Sequence, residues 1–339
     1  MTDRAPRGGW RAHLPWAGRV VTLLLVAAAG WLLVRQLRHM DWDAVVAALR
    51  AFTPATLAVA CALAFASHAL YASYELVGRH LTRHGLPPRR VLLIGAVSYA
   101  FNLNLGTLVG GIAARLRLYT HAGLGVPQAT QLIGISVLTN WLGYAALGGG
   151  LLLWHPPALP DDWAIGAAEL RWLGPALVVL AAAYLVACAV APGRRWAWRG
   201  HVLVTPSARI ALLQVGLSML NWATIATLVW WVMQRPVDWP SVATVFLIAA
   251  VAGVLVHVPA GLGVLEAVFL ALLSHRVPPA QLLAGLIVHR VVYYLVPLAM
   301  AAPAMLWLER HPRSGTPAAT PLTRSSRPGS RGARRVASR

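Results

Sequence analysis

The sequence is poor in charged residues, and in acidic residues above all. Only 12% of its 339 residues are charged, and 10 acids stand against 29 basic residues, every one an arginine. Soluble domains carry about 25% charged residues, whereas this chain is 58% apolar, with a mean hydropathy of +0.63. The composition therefore excludes an ordinary soluble enzyme and indicates an integral membrane protein.

Residues that carry metal, redox or phosphate chemistry are also scarce or scattered. Cys61 and Cys188 lie inside apolar runs, so we expect neither a disulfide framework nor a metal site. The histidines form no H-E-x-x-H pattern, and His80 and His84 lie in a basic loop near only Glu75. The nucleotide-binding pattern G-x-x-x-x-G-K-[ST] is missing. The sequence thus predicts no cofactor, no metal, no ATP-driven step and no enzymatic activity.

Long apolar runs set the predicted architecture. Runs near or above the ~20 residues that cross a bilayer fall at 17–37, 55–78, 129–153, 173–191, 208–233 and 282–308. Two further regions, 91–121 (hairpin one) and 242–274 (hairpin two), each combine a long limb and a short limb joined at glycines. We predict an all-α integral membrane protein, a polytopic bundle of about six full spans with two oppositely oriented re-entrant hairpins.

The distribution of arginine orients this bundle. If the N-terminus is cytoplasmic and each hairpin enters and leaves on one side, 22 of the 29 arginines fall in cytoplasmic segments. A single span through 91–111 would reverse every later loop and contradict the positive-inside rule. Hairpin one is therefore expected to open to the cytoplasm and hairpin two to open outward. The net charge of +19 follows from this topology and does not indicate a nucleic-acid partner.

The chain ends differ from the apolar middle. We expect residues 1–15 to be a cytoplasmic segment, 16–310 to be one transmembrane domain, and 311–339 to be a disordered Arg-rich cytoplasmic tail. The first apolar run lacks a small-residue cleavage site, so no cleavable signal peptide is expected. These features predict a multi-pass protein of a bacterial-type inner membrane with both termini cytoplasmic.

The two hairpins are weakly related in sequence. A shift of 151 residues aligns Gly110 with Gly261 and places Arg115 opposite Glu266. The few identities are weak evidence alone, but the arginine distribution independently predicts opposite orientations for the two copies. Inverted repeats with broken helices at the midplane are a transporter architecture.

Hairpin two contains a carboxylate directly after a helix-breaking stretch. Its hinge residues are Pro259, Gly261 and Gly263, and Glu266 follows three residues later. Irregular backbone at membrane depth persists only inside protein or beside a hydrated cavity, and an ionised carboxylate there needs a partner. The candidate partners are Arg290 and Arg115. A role for Glu266 and Arg290 as a buried pair that only fixes packing remains open.

Further candidates lie in hairpin one and in the last span. Asn102 and Asn104 could bond freed backbone groups or contact a head group, and Arg115 and Arg117 could hold a phosphate or only set topology. Glu75 is expected to snorkel at its helix end. The complete predicted set for a lipid-binding cavity is Asn102, Asn104, Arg115, Arg117, Tyr119, Glu266, Arg290, Tyr293 and Tyr294, with Gly106, Gly110 and Gly111 as the hinges of hairpin one.

Two stretches resemble a known family. The first is NLNLGTLVGGIAARLRLYTHAGL followed by NWLG, and the second is VPAGLGVLEAVFLALL followed by HRVVYYLVP. Both resemble motifs in the membrane part of the lysylphosphatidylglycerol synthetase/flippase (multiple peptide resistance factor). The resemblance implies a flippase-like transmembrane domain with re-entrant hairpins, in which Arg115, Arg117 and Tyr119 match R-x-R-x-Y, and Glu266 and Arg290 match the family's acid and base.

Departures from that family narrow the expected function. Only about 30 residues follow the last span, too few for the family's cytosolic transferase domain, so lipid aminoacylation is not expected. Ile112 stands where distant relatives have an acid. The leading hypothesis is a flippase-like protein that translocates a phospholipid or modified lipid between leaflets. The alternative is a non-transporting membrane partner that presents lipid to a separate glycosyl- or aminoacyltransferase.

Overall fold

The computed structural model describes residues 41–157, 167–198, 201–235, 237–256 and 261–311. The first predicted span at 17–37, the N-terminal segment 1–15, the tail from 312 onward and the hinge residue Pro259 lie outside the described residues.

The described part of the chain is almost entirely helical, which confirms the predicted fold class. The elements in chain order are α1 Trp42–Arg50, α2 Pro54–Thr82, α3 Pro88–Gly106, π1 Thr107–Ala113, α4 Ala114–His121, α5 Val126–Trp154, α6 Ala167–Val190, β1 Arg195–Trp198, β2 His201–Val204, α7 Ala208–Val232, α8 Trp239–Val256, α9 Val264–Leu273, α10 Pro279–Arg290, π2 Val291–Leu295 and α11 Val296–Arg310. Helix α1 and the antiparallel β1–β2 hairpin, in which Arg195 pairs with Val204, were not predicted.

Six of the described segments are long and apolar enough to span a membrane. They are Pro54–Thr82, Val126–Trp154, Trp172–Val190, Ala208–Val232, Trp239–Val256 and Pro279–Arg310. Five match predicted spans, and the sixth is the long limb of hairpin two. The chain is therefore a multi-pass membrane protein.

Prolines mark where several of these helices begin. Pro54, Pro88, Pro127 and Pro279 each occupy the first turn of a helix. A proline is well accommodated there because the first N–H groups of a helix have no intrahelical partner and its φ is already helical. At α2 the Thr53 side chain also accepts a hydrogen bond from the Thr56 N–H at 3.2 Å.

Hairpin one reverses direction at Gly106, whose φ of +81° favours glycine. Segment π1 then packs back on α3, so closely that a Cβ atom built on Gly110 would lie 2.0 Å from the Phe101 carbonyl oxygen. Both ends of hairpin one meet the same end of the bundle, because Gln128 bonds the Thr82 carbonyl at 3.2 Å and Arg117 pairs with Glu309. The chain therefore enters and leaves at this end, called the arginine end below.

Hairpin two reverses direction near Gly261 and Gly263, whose φ values are +57° and +79°. Arg276, just after α9, lies 3.4 Å from Asp238, just before α8. His155, which follows α5, lies 3.2 Å from the same carboxylate. Hairpin two thus enters and leaves at the end of the bundle opposite the arginine end, called the Asp238 end. That the hairpins are re-entrant within a bilayer remains a prediction.

Candidate functional site

A buried ion pair joins hairpin one to the bundle. Glu75 of α2 is fully buried, Arg115 of α4 is 2% exposed, and Arg115 Nη1 lies 3.1 Å from Glu75 Oε1. Tyr119 donates to Oε2 at 2.7 Å and Ser136 to Oε1 at 3.0 Å. Arg115 and Tyr119 are four residues apart on one helix face, so both reach the same carboxylate. This site therefore ties together α2, α4 and α5 through one charged group.

The prediction that Glu75 snorkels to the membrane surface is wrong. Helix α3 crosses directly over it, because Gly95 leaves only 2.7 Å between a Cβ built there and Glu75 Cγ. The neighbouring helices cover the side chain and exclude water, and Arg115 supplies the opposite charge that a buried carboxylate needs in place of water. The sequence did contain a signal, since an acid within a spanning helix is costly unless it has a partner.

A second ion pair joins hairpin two to the last span. Arg290 donates to both carboxylate oxygens of Glu266, with Nη2 to Oε2 at 2.9 Å. Oε2 also accepts from the Gly263 N–H at 3.0 Å, and Arg290 Nη2 reaches the Gly261 carbonyl at 3.1 Å. Of the two candidate partners for Glu266, the structure thus selects Arg290. Such bidentate pairs are strong and fix geometry, so this pair fixes the hinge backbone as well as α9.

A chain of aromatic and polar side chains connects the two ion pairs. Arg115 Nη2 lies 3.4 Å from the Tyr71 hydroxyl, and the Tyr71 ring stacks on Tyr99 with centroids 3.6 Å apart. The hydroxyls of Tyr99 and Tyr293 are 2.8 Å apart. Tyr294, the next residue, lies under the Arg290 guanidinium at 5.6 Å. One continuous set of contacts therefore runs from hairpin one to hairpin two.

The middle of this series of contacts is a polar cluster in an otherwise apolar core. Ser67 donates to Asn221 Oδ1 at 2.7 Å and shares a hydrogen bond with the Tyr293 hydroxyl at 2.8 Å. Tyr293 belongs to π2, and π-helical turns are rare and are frequent at functional sites. We call this group the central cluster, and its members are Ser67, His68, Tyr71, Tyr99, Asn221 and Tyr293.

The remaining residues predicted for the lipid-binding cavity do not lie together in one place. Asn104 Nδ2 bonds the carbonyls of Ala100 at 2.8 Å and Tyr294 at 3.2 Å, so it links hairpin one to the last span. Asn102 lies against Gly111, and its Oδ1 has no hydrogen-bond partner among the described residues. Arg117 is 65% exposed and pairs with Glu309 at 2.8 Å, away from the other residues. Contact of any of these residues with lipid remains a prediction.

Several residues of this arrangement were missed by the sequence analysis. Glu75, Ser67 and Asn221 are polar residues inside spanning helices, which is itself a signal of a functional site. Tyr71 and Tyr99 carried no comparable signal, because aromatic residues are common in apolar runs. Among the described residues, no group of three histidine, cysteine or acidic side chains is placed to hold a metal ion.

A separate polar group lies at the Asp238 end. The Asp238 carboxylate accepts from the Ser241 N–H and hydroxyl, both at 3.0 Å, and lies beside His155 and Arg276. Burial alone would raise the pKa of Asp238, but the hydrogen bonds from Ser241 and the charge of His155 together lower that pKa below its usual value. This group joins the ends of α5, α8 and α9.

Comparison with known proteins places the chain in a family. Residues 19–301 match the lysylphosphatidylglycerol synthase TM region. The chain is 38% identical over 302 residues to the inner membrane protein YbhN of Escherichia coli K12, covering 88% of this chain and 95% of that protein. It is also 28% identical over 272 residues to the uncharacterized protein slr0712 of Synechocystis sp., covering 79% and 84% respectively. The chain therefore belongs to the family of lysylphosphatidylglycerol synthase transmembrane regions.

Proposed function

We propose that this protein is a flippase-like protein of the inner membrane that moves a phospholipid or a modified lipid between the two leaflets. The observation that carries the proposal is the pair of hairpins that enter from opposite ends of the bundle and are joined by polar contacts through its middle. Inverted, broken-helix elements of this kind are the usual setting of transport sites near the midplane. The inner-membrane location is taken from the relative YbhN, whose name states it.

The buried polar residues can provide a lipid head group with charges and hydrogen bonds, which the hydrocarbon core cannot. A head group that crosses the bilayer loses its water, and a charge at the bilayer centre costs about 2.5–3.5 kcal/mol even on the most permissive scale. Arg115 and Arg290 have planar guanidinium groups suited to a phosphate. In this proposal the head-group phosphate competes with Glu75 or Glu266 for its arginine while the acyl tails remain in lipid.

The charge distribution supports the predicted orientation. Residues at the arginine end include Arg79, Arg83, Arg89, Arg90 and Arg310, whereas the Asp238 end contains acids as well as arginines. Under the positive-inside rule the arginine end faces the cytoplasm. Hairpin one would then receive lipid from the cytoplasmic leaflet, and hairpin two would face the outer one.

Lipid translocation in liposomes tests the proposal. The purified full-length chain is reconstituted with fluorescently labelled phosphatidylglycerol, and the fraction that becomes accessible to an external quencher is followed over time. We expect faster translocation than in protein-free liposomes. Glu266→Gln or Arg290→Ala should lower the rate at least tenfold, which corresponds to a rise of about 1.4 kcal/mol or more in the activation free energy of translocation. Asp43→Asn, an exposed control, should keep the normal rate.

Equal rates with and without the protein would reject transport. A protein that presents lipid to a separate transferase would instead retain bound lipid on purification, form a stable complex with that transferase, and leave the translocation rate at the protein-free level. The translocation rate, together with tests for bound lipid and for such a complex, therefore separates the two functions.

A further inference from the structure

His68 lies at the centre of the bundle. It is residue 15 of the 29 in α2, and Asn221 and Tyr293 occupy similarly central positions, residue 14 of 25 in α7 and residue 15 of 32 in the segment Pro279–Arg310. Its side chain is 6% exposed, and its ring contacts Tyr99 and Tyr293 with centroids 5.0 and 5.1 Å apart. A titratable group is thus buried midway between the two ion pairs.

The hydrogen bonding of His68 determines which ring nitrogen is basic. Nδ1 lies 2.9 Å from the Ala64 carbonyl oxygen, which can only accept, so Nδ1 must carry the proton. In the neutral ring Nε2 then bears a lone pair, and Nε2 has no hydrogen-bond partner among the described residues. A buried acceptor without a partner is costly. His68 therefore presents a free proton acceptor within the central cluster.

The charges around the central cluster cancel. Glu75 pairs with Arg115, and Glu266 pairs with Arg290, so the two ion pairs add no net charge to the path between the hairpins. A phosphodiester head group brings one negative charge into this neutral region. Without a compensating positive charge its passage through the middle of the bundle is opposed.

His68 is better placed than His289 to provide that positive charge. His289 is also buried and stacks on Tyr293, but it directly precedes Arg290, so a positive charge on that ring would lie beside an existing one. The groups in ring contact with His68 are the neutral phenols of Tyr99 and Tyr293. Its own helix adds the phenols of Tyr71 and Tyr74, whose ring centroids lie 5.0 Å apart.

We propose that His68 is a proton-binding site that takes up a proton when an anionic lipid head group occupies the centre of the bundle. The proton is drawn from water on the side that the head group enters, adds to Nε2 to form the imidazolium, and is released when the head group leaves. The imidazolium balances the phosphate charge, so lipid and proton cross together without net charge. This inference rests on the proposed function for its substrate and adds that the head group is anionic.

Proton uptake on lipid binding tests this directly, without transport. Dihexanoylphosphatidylglycerol is titrated calorimetrically into the detergent-purified full-length chain in buffers of different ionisation enthalpy, which reports the protons exchanged per lipid bound. We expect about one proton taken up per phosphatidylglycerol bound by the wild-type chain and none with zwitterionic dihexanoylphosphatidylcholine. Because binding takes up a proton, affinity for phosphatidylglycerol should increase as the pH falls.

Variants assign the proton to one residue. His68→Gln keeps an amide donor for the Ala64 carbonyl but cannot be protonated, so it should bind phosphatidylglycerol without proton uptake. His289→Gln and the exposed control His121→Gln should keep it. Undiminished uptake in His68→Gln would overturn the proposal. So would a wild-type chain that binds no phosphatidylglycerol, or that shows the same pH dependence for both lipids, a readout that does not depend on the folding of any variant.

The two proposals can fail separately. Lipid translocation without proton uptake would overturn the role of His68 and leave the proposed function standing. Proton-linked binding of phosphatidylglycerol without translocation would reject the flippase and retain the site.

Discussion

At the scale of residues, the packing of the two hairpins depends on two acids, each of which forms an ion pair with one arginine. Glu75 accepts three hydrogen bonds or ion-pair contacts, from Arg115, Tyr119 and Ser136. Desolvation of both charges in a buried pair offsets much of their attraction, whereas removal of one partner leaves the other charge buried alone. Single substitutions at these pairs are therefore expected to be far more harmful than their net contribution to stability suggests.

Replacement of Glu75 tests this expectation. Glu75→Gln leaves the buried Arg115 guanidinium without its counter-charge and should destabilise the protein by about 3–5 kcal/mol. Glu309→Gln removes the acid of the partly exposed pair with Arg117 and should cost no more than about 1 kcal/mol. Thermal unfolding in detergent compares the two, and a small shift of equal size in both variants would show that Glu75 and Arg115 are not a buried pair.

The Tyr99–Tyr293 contact can be measured as a coupling. Tyr99→Phe, Tyr293→Phe and the double variant form a cycle in which each change removes one hydroxyl and keeps the ring. Because the two hydroxyls share a hydrogen bond, we expect a coupling free energy of unfolding of about 0.5–1.5 kcal/mol. Additive effects of the two single variants would contradict a direct bond between α3 and π2.

At the scale of elements, glycines determine how closely the hairpin limbs approach. Gly110 lies against the Phe101 backbone, and Gly111 lies 2.4 Å, measured from a Cβ built there, from Asn102 Oδ1. Gly134 on α5 has nothing within 4 Å of a Cβ built at its position. The two kinds of glycine therefore predict opposite effects of a methyl group.

Gly110→Ala should separate the two limbs of hairpin one. A methyl group there would overlap the Phe101 carbonyl, which is fixed backbone, so we expect a large loss of thermal stability or of folded protein. Gly134→Ala adds a methyl group on an open helix face and should be neutral or stabilise by up to about 1 kcal/mol. Similar melting temperatures for the two variants would contradict the close packing of π1 on α3.

The positions of most spans and of both hairpins could be predicted from the sequence. Apolar run lengths located five of the spans, and glycines with arginine placement located both hairpins, because these features follow from the bilayer itself. The partner of Arg115 could not be predicted in the same way. Glu75 lies 40 positions away in the chain, and only the approach of α3 and α4 to α2 determines that it is buried. The same holds for Ser67 and Asn221, whose bond depends on the packing of α2 against α7.

At the scale of the whole molecule, the two ends of the bundle differ in chemistry. The Asp238 carboxylate holds three helix ends together with Ser241, His155 and Arg276. Because its pKa is lowered in the folded protein, it contributes stability that is present above the usual carboxyl pKa and is lost as the pH falls through the lowered value. As the pH falls below the usual carboxyl pKa and through the lowered one, the melting temperature should therefore fall more in the wild-type chain than in Asp238→Asn. Parallel curves for the two proteins would assign the acid sensitivity to other groups.

The proposed lipid path requires that the two hairpins enter the membrane from opposite faces. His121, the last residue of hairpin one, and His275, just after hairpin two, are both exposed, and each can be replaced by cysteine in a Cys61→Ala, Cys188→Ala background. In intact spheroplasts a membrane-impermeant maleimide should label the cysteine at position 275 at once and the cysteine at position 121 only after permeabilisation. Labelling of both positions from the same side would contradict the inverted arrangement and, with it, the path between the leaflets.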